Sequence, residues 1–437
     1  MKKKLVLLIL MIFVLQGCGI VGEPPVDSGI NVDVSSVSAK PLEQSSNNDM
    51  RAPPAFSATS TPRRESAVQT IVPITPAINP LTGLPVANAD NLKLPPALVS
   101  ITNWPITARP QAGLSFAPFV FELYIGEGMS RFLALFYGDF PSGASSSGSQ
   151  SSGNSMVTSD DAQIGPIRSG RLPYEHLRRA YNGFLVMASA YSGVAQNLGE
   201  YTNYFGSDTD NINSAMISVT RLEDIARASK FRVQPSSISV MRFDSTIPEG
   251  GKAAPRFWFM YNAYDQIIWR YDPVSGAYHR YQDQADGKTF VQATDRLTGE
   301  PLTFENVVVL FANHRACTEY AFDVDLMYID RGKALLFRDG KMYEIFWTTK
   351  NEDYEKTTGR VRPIRFTDAE GQPFPFKPGQ TWVHLVPLAT PYWETADTEV
   401  LFDLLNKSQP GSGNWAMRFY ASSMIEDPSV CEAIRKR

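Results

Sequence analysis

Six charged residues stand in apolar or Gly/Pro-bearing surroundings: Arg109, Glu122, Glu127, Arg131, Arg168 and Arg171. Strand alternation puts Glu122 on the same side as Val120 and Tyr124, which predicts partial burial. A carboxylate inside a protein needs a partner or its pKa rises, and the planar fork of an arginine is the natural one. Two readings follow. In one, the six form a structural Arg–Glu network whose members satisfy one another. In the other, Arg168 and Arg171, three apart and presented from the turn around Gly165-Pro166, share a face and hold a carboxylate or phosphate of a ligand.

Other chemistries find less support. Glu122 and Glu127 as an acid/base pair across a sugar bond are five residues apart over a turn, with no special claim to the required separation. No Gly-x-Ser-x-Gly occurs, and His176, His279, His314 and His384 are isolated, so neither a Ser–His nucleophile nor a metal site is expected. The catalytic residues, if any, are unassigned. The turn Ser189-Ala190-Tyr191-Ser192-Gly193 leads into a helix start, where amides attract anions, but no P-loop or dinucleotide fingerprint accompanies it, so no cofactor is expected. Phe257, Trp258, Tyr261, Trp269, Tyr271, Tyr278, Trp347 and Trp382 offer either a stacking surface or a sheet core.

Cys18 carries a different chemistry. It follows Leu15-Gln16-Gly17, an apolar run from Leu5 to Leu15 and the basic start Lys2-Lys3-Lys4. The run is short for a membrane span, so residues 1–17 read as a cleaved lipoprotein signal, with the Cys18 thiol carrying the lipid. This predicts an extracytoplasmic protein held to a bacterial membrane through lipidated Cys18. Cys317 and Cys431 are left, as a disulfide, as two buried thiols, or with Cys317 as a catalytic thiol. Loss of three lysines turns 41 basic residues into 38 against 45 acidic ones, a net charge of −7. A nucleic-acid partner is thereby disfavoured.

The elements that position these residues fall into two halves. Residues 18–78 are a Pro/Ser/Thr-rich tether too poor in apolar surface to fold. An α/β N-terminal domain is expected over 79–233. It holds a strand at Ala97–Thr102, a hairpin of Phe119–Ile125 with Arg131–Tyr137, a solvated Ser/Gly insertion at 142–155, and a helix over Pro173–Ala180. A strand over Gly183–Ala188 and helices over Gly193–Tyr201 and Arg221–Lys230 complete it. After a connector, 256–390 reads as a mostly antiparallel β domain, followed by an extension over 391–437. The fold class is α+β.

Several motifs in order carry a resemblance. Ala108-Arg109-Pro110-Gln111-Ala112-Gly113-Leu114, Glu122, Gly126-Glu127-Gly128-Met129-Ser130-Arg131-Phe132 and Ile164-Gly165-Pro166-Ile167-Arg168-Ser169-Gly170-Arg171 resemble the N-terminal part of the YerB family of bacterial lipoproteins. Asp295-Arg296-Leu297-Thr298-Gly299, Asn306-Val307-Val308-Val309, Phe337-Arg338-Asp339-Gly340-Lys341 and Pro378-Gly379-Gln380-Thr381-Trp382-Val383 are similar to its second part. The resemblance implies a two-part extracytoplasmic domain of uncharacterised role. This chain departs from the family at Ala190-Tyr191, where a more glycine-rich turn is usual, and in its long Ser/Gly insertion. The leading expectation is a lipid-anchored protein that binds a cell-wall component or an envelope protein. An enzyme acting on cell-wall glycan or peptide is the alternative. A solute-binding lipoprotein is another, disfavoured because such receptors pair two similar α/β lobes.

Overall fold

The computed structural model describes residues 76–140, 162–206, 215–230, 232–318, 321–396 and 407–435. The signal over 1–17, Cys18, the tether as far as residue 75 and the Ser/Gly insertion at 142–155 lie outside the described residues, as do the side chains of Cys317 and Cys431. No helix among the described residues is long and apolar enough to cross a membrane.

The chain is mostly β. Its first half supplies β1 (Ala97–Thr102), β2 (Phe119–Gly126), β3 (Met129–Phe136), β4 (Gln163–Ile167), α1 (Leu172–Tyr181), β5 (Phe184–Met187), β6 (Tyr201–Asn203), β7 (Ala215–Ser218) and α2 (Val219–Ala228). The second half adds β8 (Arg256–Asn262), β9 (Asp265–Asp272), β10 (Ala277–Asp283), β11 (Asn306–Ala312), β12 (Gly332–Arg338), β13 (Lys341–Thr348), β14 (Thr381–Pro387) and β15 (Asn414–Arg418). One 13-stranded sheet runs β13-β12-β11-β14-β2-β3-β1-β4-β7, with β5 and β6 branching from β1. The two halves meet inside it, where β2 lies parallel to β14 from Phe119 opposite Thr381 to Glu122 opposite His384. A seven-stranded sheet places β10, β9, β8 and β15 side by side.

Local chemistry accounts for the main elements. Pro173 stands in the first turn of α1, and Asn182 ends the helix in the left-handed region at φ 53°, a conformation that asparagine tolerates. Ser218 caps α2 by accepting the Arg221 amide. The β2–β3 hairpin turns through Glu127 and two positive-φ glycines. A Cβ at Gly128 would fall 2.0 Å from the Asn262 side chain, so this close approach requires glycine. β2 is buried along its whole length because both faces are covered. Phe119 and Phe121 pack on Tyr181 of α1, each with ring centres 6.2 Å away. The other face meets the second sheet, where Trp269 packs against Trp382 at 5.5 Å.

One expectation changes here and one choice is settled. The helix expected over Gly193–Tyr201 spans Ser192–Ala195 alone, and Tyr201 begins β6. Asn197 turns its side chain back to the Gly193 carbonyl, Gly199 follows, and Glu200 adopts positive φ, so the chain stops the helix locally. The aromatic runs of the second half form core: Phe257, Trp258, Tyr261, Trp269, Tyr278, Trp347 and Trp382 are buried.

Candidate functional site

The six charged residues separate onto different surfaces. Glu122 has 0% of its surface exposed and faces the second sheet. Arg280, on the inward side of β10 with Tyr278 and Gln282, sets its Nη2 3.4 and 3.5 Å from the two Glu122 oxygens. Ser130 Oγ donates to Glu122 Oε1 at 2.7 Å and Trp382 Nε1 to Oε2 at 2.9 Å. Burial pushes the Glu122 carboxyl above its ordinary range. Arg280 pulls it back, Asp265 adds to the rise, and the two donors lower it. The Arg280 guanidinium lies over the rings of Trp382 at 4.7 Å and Phe132 at 5.2 Å, an aromatic bed suited to its flat face.

His384 completes this layer as a neutral ring. Its Nε2 accepts from Trp269 Nε1 at 3.0 Å, so the proton sits on Nδ1, 3.5 Å from Glu122 Oε2. Burial, then the Arg280 charge, hold its pKa well below the usual value. The network continues to Asp265, which accepts the Ser130 amide at 2.9 Å and Gln282 Nε2 at 3.3 Å. Arg109 reaches across to donate to the Asp283 carbonyl at 2.8 Å and the Asn103 carbonyl at 3.2 Å. Burial brings its pKa down to about 10. Asp283 is pushed up to about 7, first by burial and then by the charge of Asp265.

Arg131 points the other way. In the hairpin register Glu122 pairs with Phe132 and Leu123 with Arg131, so Arg131 emerges on the α1 side of the sheet. It is 8% exposed, its Nη1 donates to the Ser169 carbonyl at 3.0 Å, and its buried Nε has no hydrogen-bond partner. Burial, then the like charges of Arg171 and Arg168, push it down to about 9, with no carboxylate among the groups acting on it. Arg171 is the residue before α1, gives that helix no side-chain cap, and donates to the Gly170 carbonyl at 3.0 Å. Arg168 is half-buried, with its amide on the Ser100 carbonyl and its carbonyl taking the Ala188 amide. Among the described residues, neither Arg131 nor Arg171 meets a carboxylate within ion-pair distance.

The result is a cluster of three arginines at the N-terminus of a ten-residue helix. The 168–171 segment carries two of them and is joined to the turn after β5, where the Ala188 amide donates to the Arg168 carbonyl. The Gly170 amide donates to the Ser189 carbonyl at 2.9 Å, and a Cβ on Gly170 would stand 2.4 Å from Met187 Sδ and 2.8 Å from Leu198. Both atoms end flexible side chains, so a larger residue at Gly170 would displace side chains rather than backbone.

Glu127 belongs to neither group. It is exposed at the hairpin tip, its carbonyl accepting from Asn262. Glu122 is sealed beneath Trp382, so the two carboxylates share no cleft. Arg280, Asp265, Asp283 and His384 were missed by sequence reasoning. The available signal was a polar residue on the inward side of an aromatic strand: Arg280 between Tyr278 and Gln282, and His384 two after Trp382. Most motifs of the second half act as stitches. Asp295 accepts the Gly113 and Ser115 amides, both at 2.8 Å. Gln380 donates to the Ser115 and Ala117 carbonyls.

Residues 81–238 match the family model described as Protein of unknown function (DUF3048) N-terminal domain, and residues 258–383 match the DUF3048 C-terminal domain. The chain is 26% identical over 324 residues to the Bacillus subtilis (strain 168) protein named "Putative lipoprotein YerB", covering 70% of this chain and 86% of that one. The crystal structure of the YerB protein from Bacillus subtilis has the same fold, with a TM-score of 0.54 at 24% identity over 71% of this chain and 97% of the other. Two family models matched in order across both halves, with a relative and a solved fold that agree, place this chain in the DUF3048 family, the YerB-like family that its motifs resemble.

Proposed function

We propose that the protein is a lipid-anchored extracytoplasmic binding protein, tethered through Cys18, whose arginine cluster holds an anionic group of a cell-wall component or envelope partner. The name of its Bacillus relative supports the anchor. One observation carries the site: Arg131, buried at 8% exposure beside Arg171 and Arg168, has a carbonyl partner and, among the described residues, no carboxylate. A desolvated guanidinium without a counter-charge is costly, and an anionic ligand is what would offset the cost. The sealed Glu122 layer supports a structural role for that carboxylate rather than acid/base work.

An Arg168→Ala/Arg171→Ala double variant tests this. It should keep its native circular dichroism and lose retention on purified cell-wall material. Unchanged retention removes the cluster as the site. The anchor is tested separately by labelling with a fatty-acid probe, which should vanish in Cys18→Ser.

A further inference from the structure

Resting on the anion-binding reading, we infer that the cluster takes a phosphorylated saccharide, with its phosphate on Arg131 and Arg171 and its ring face on Tyr191. Charge comes first. Two guanidinium groups that meet carbonyls and, among the described residues, no carboxylate match the −1.5 to −2 of a phosphate monoester better than the single charge of a carboxylate. The neighbouring turns supply the rest. β1, β5 and β6 are parallel to one another, and the turns after β5 and β6 open at the same end of the sheet as the 168–171 segment. That end, outside the carboxyl ends of parallel strands, is where ligands settle in open sheets.

Two rings stand there in solvent. Tyr191 is 65% exposed and Phe205 73%. Tyr191 follows Ala190, whose Cβ would lie 3.6 Å from a Cβ on Gly170, the neighbour of Arg171. The Tyr204 amide bonds the Met187 carbonyl, which brings Phe205 to the same edge. A pyranose presents C–H groups on one face and hydroxyls at its rim, so it can lie on an exposed ring while staying hydrated. A flat lipid surface fits less well, because Arg131 is only 8% exposed.

Calorimetry on the full-length chain in detergent tests the inference with glucose 1-phosphate, inorganic phosphate, galacturonate and glucose. Glucose 1-phosphate should bind about tenfold more tightly than inorganic phosphate, the size of one aromatic contact. Tyr191→Ala should erase that margin and leave inorganic phosphate unchanged, while Arg171→Gln should weaken both. Equal affinities that ignore Tyr191→Ala overturn the saccharide and leave the anion site standing. Binding of galacturonate without either phosphate overturns the phosphate. If none of the anions binds, the anion-binding reading falls with it.

Discussion

Glu122 and Arg131 occupy neighbouring strands of one hairpin, one step apart in register, and meet opposite environments. On the Glu122 face the charges are balanced and closed in: carboxylates of Glu122 and Asp265, the guanidinium groups of Arg280 and Arg109, and donors from Ser130, Gln282 and Trp382. On the Arg131 face one sign accumulates, with carbonyls as its partners. Burial is thus a poor guide to role. Both charges are removed from water, yet the balanced set gives the two sheets their mutual fit, whereas the one-signed set is the one proposed above to meet a ligand's charge.

The difference is broken most severely from the balanced side. Glu122→Ala leaves Arg280 buried among Trp382, Phe132 and Trp269 with its counter-charge gone. The expected loss is about 3–5 kcal/mol of unfolding free energy, read as a lower urea midpoint. Adding Arg280→Met should recover part of it, because an apolar chain of similar length suits the same aromatic bed. A loss below about 1 kcal/mol in the single variant would show that the carboxylate does not hold the sheets.

A weaker test uses acidity. Asp283, pushed up to about 7 by burial and by Asp265, with the Gln266 amide and Arg109 pulling it down, keeps its proton in the folded chain. In the unfolded chain it ionises near 4. Between those values the folded state holds more protons, so stability falls as pH rises, by on the order of 1 kcal/mol per pH unit, and levels off above about 7. Glu122, also raised, acts in the same direction. Urea midpoints from pH 5 to 8 should show this slope, and Asp283→Asn should flatten it. An unchanged slope in that variant would assign it elsewhere.

The sequence made the hairpin, α1 and the burial of Glu122 legible, because each rests on local alternation or a proline at a helix start. Its partner was not legible. Arg280 lies 158 residues away on another sheet, a separation at which periodicity carries no information. The facing of Arg131 was hidden for a subtler reason. The hairpin register shifts between Tyr124 and Gly126, and without that bulge Arg131 would pair with Tyr124 and share the face of Glu122. One irregular residue therefore decides whether Arg131 shares the face of Glu122 or joins Arg168 and Arg171 on the other.

The smallest effect belongs to Arg131→Met, and its sign is the informative part. The substitution removes one hydrogen bond to the Ser169 carbonyl, a loss of about 1 kcal/mol. It also removes a desolvated guanidinium, held down to about 9, from beside Arg171 and Arg168, and that gain has similar size. Methionine fills the same channel with a flexible apolar chain. Without ligand, the unfolding free energy from urea titration should therefore stay within about 1 kcal/mol of the parent or rise, as expected where a side chain is kept for binding at some cost in stability. Inorganic phosphate, which raises the thermal midpoint of the parent under the binding hypothesis, should lose that effect in the variant. A drop of more than about 2 kcal/mol would put Arg131 in the same structural class as Arg280, and the contrast between the two faces of the hairpin would disappear.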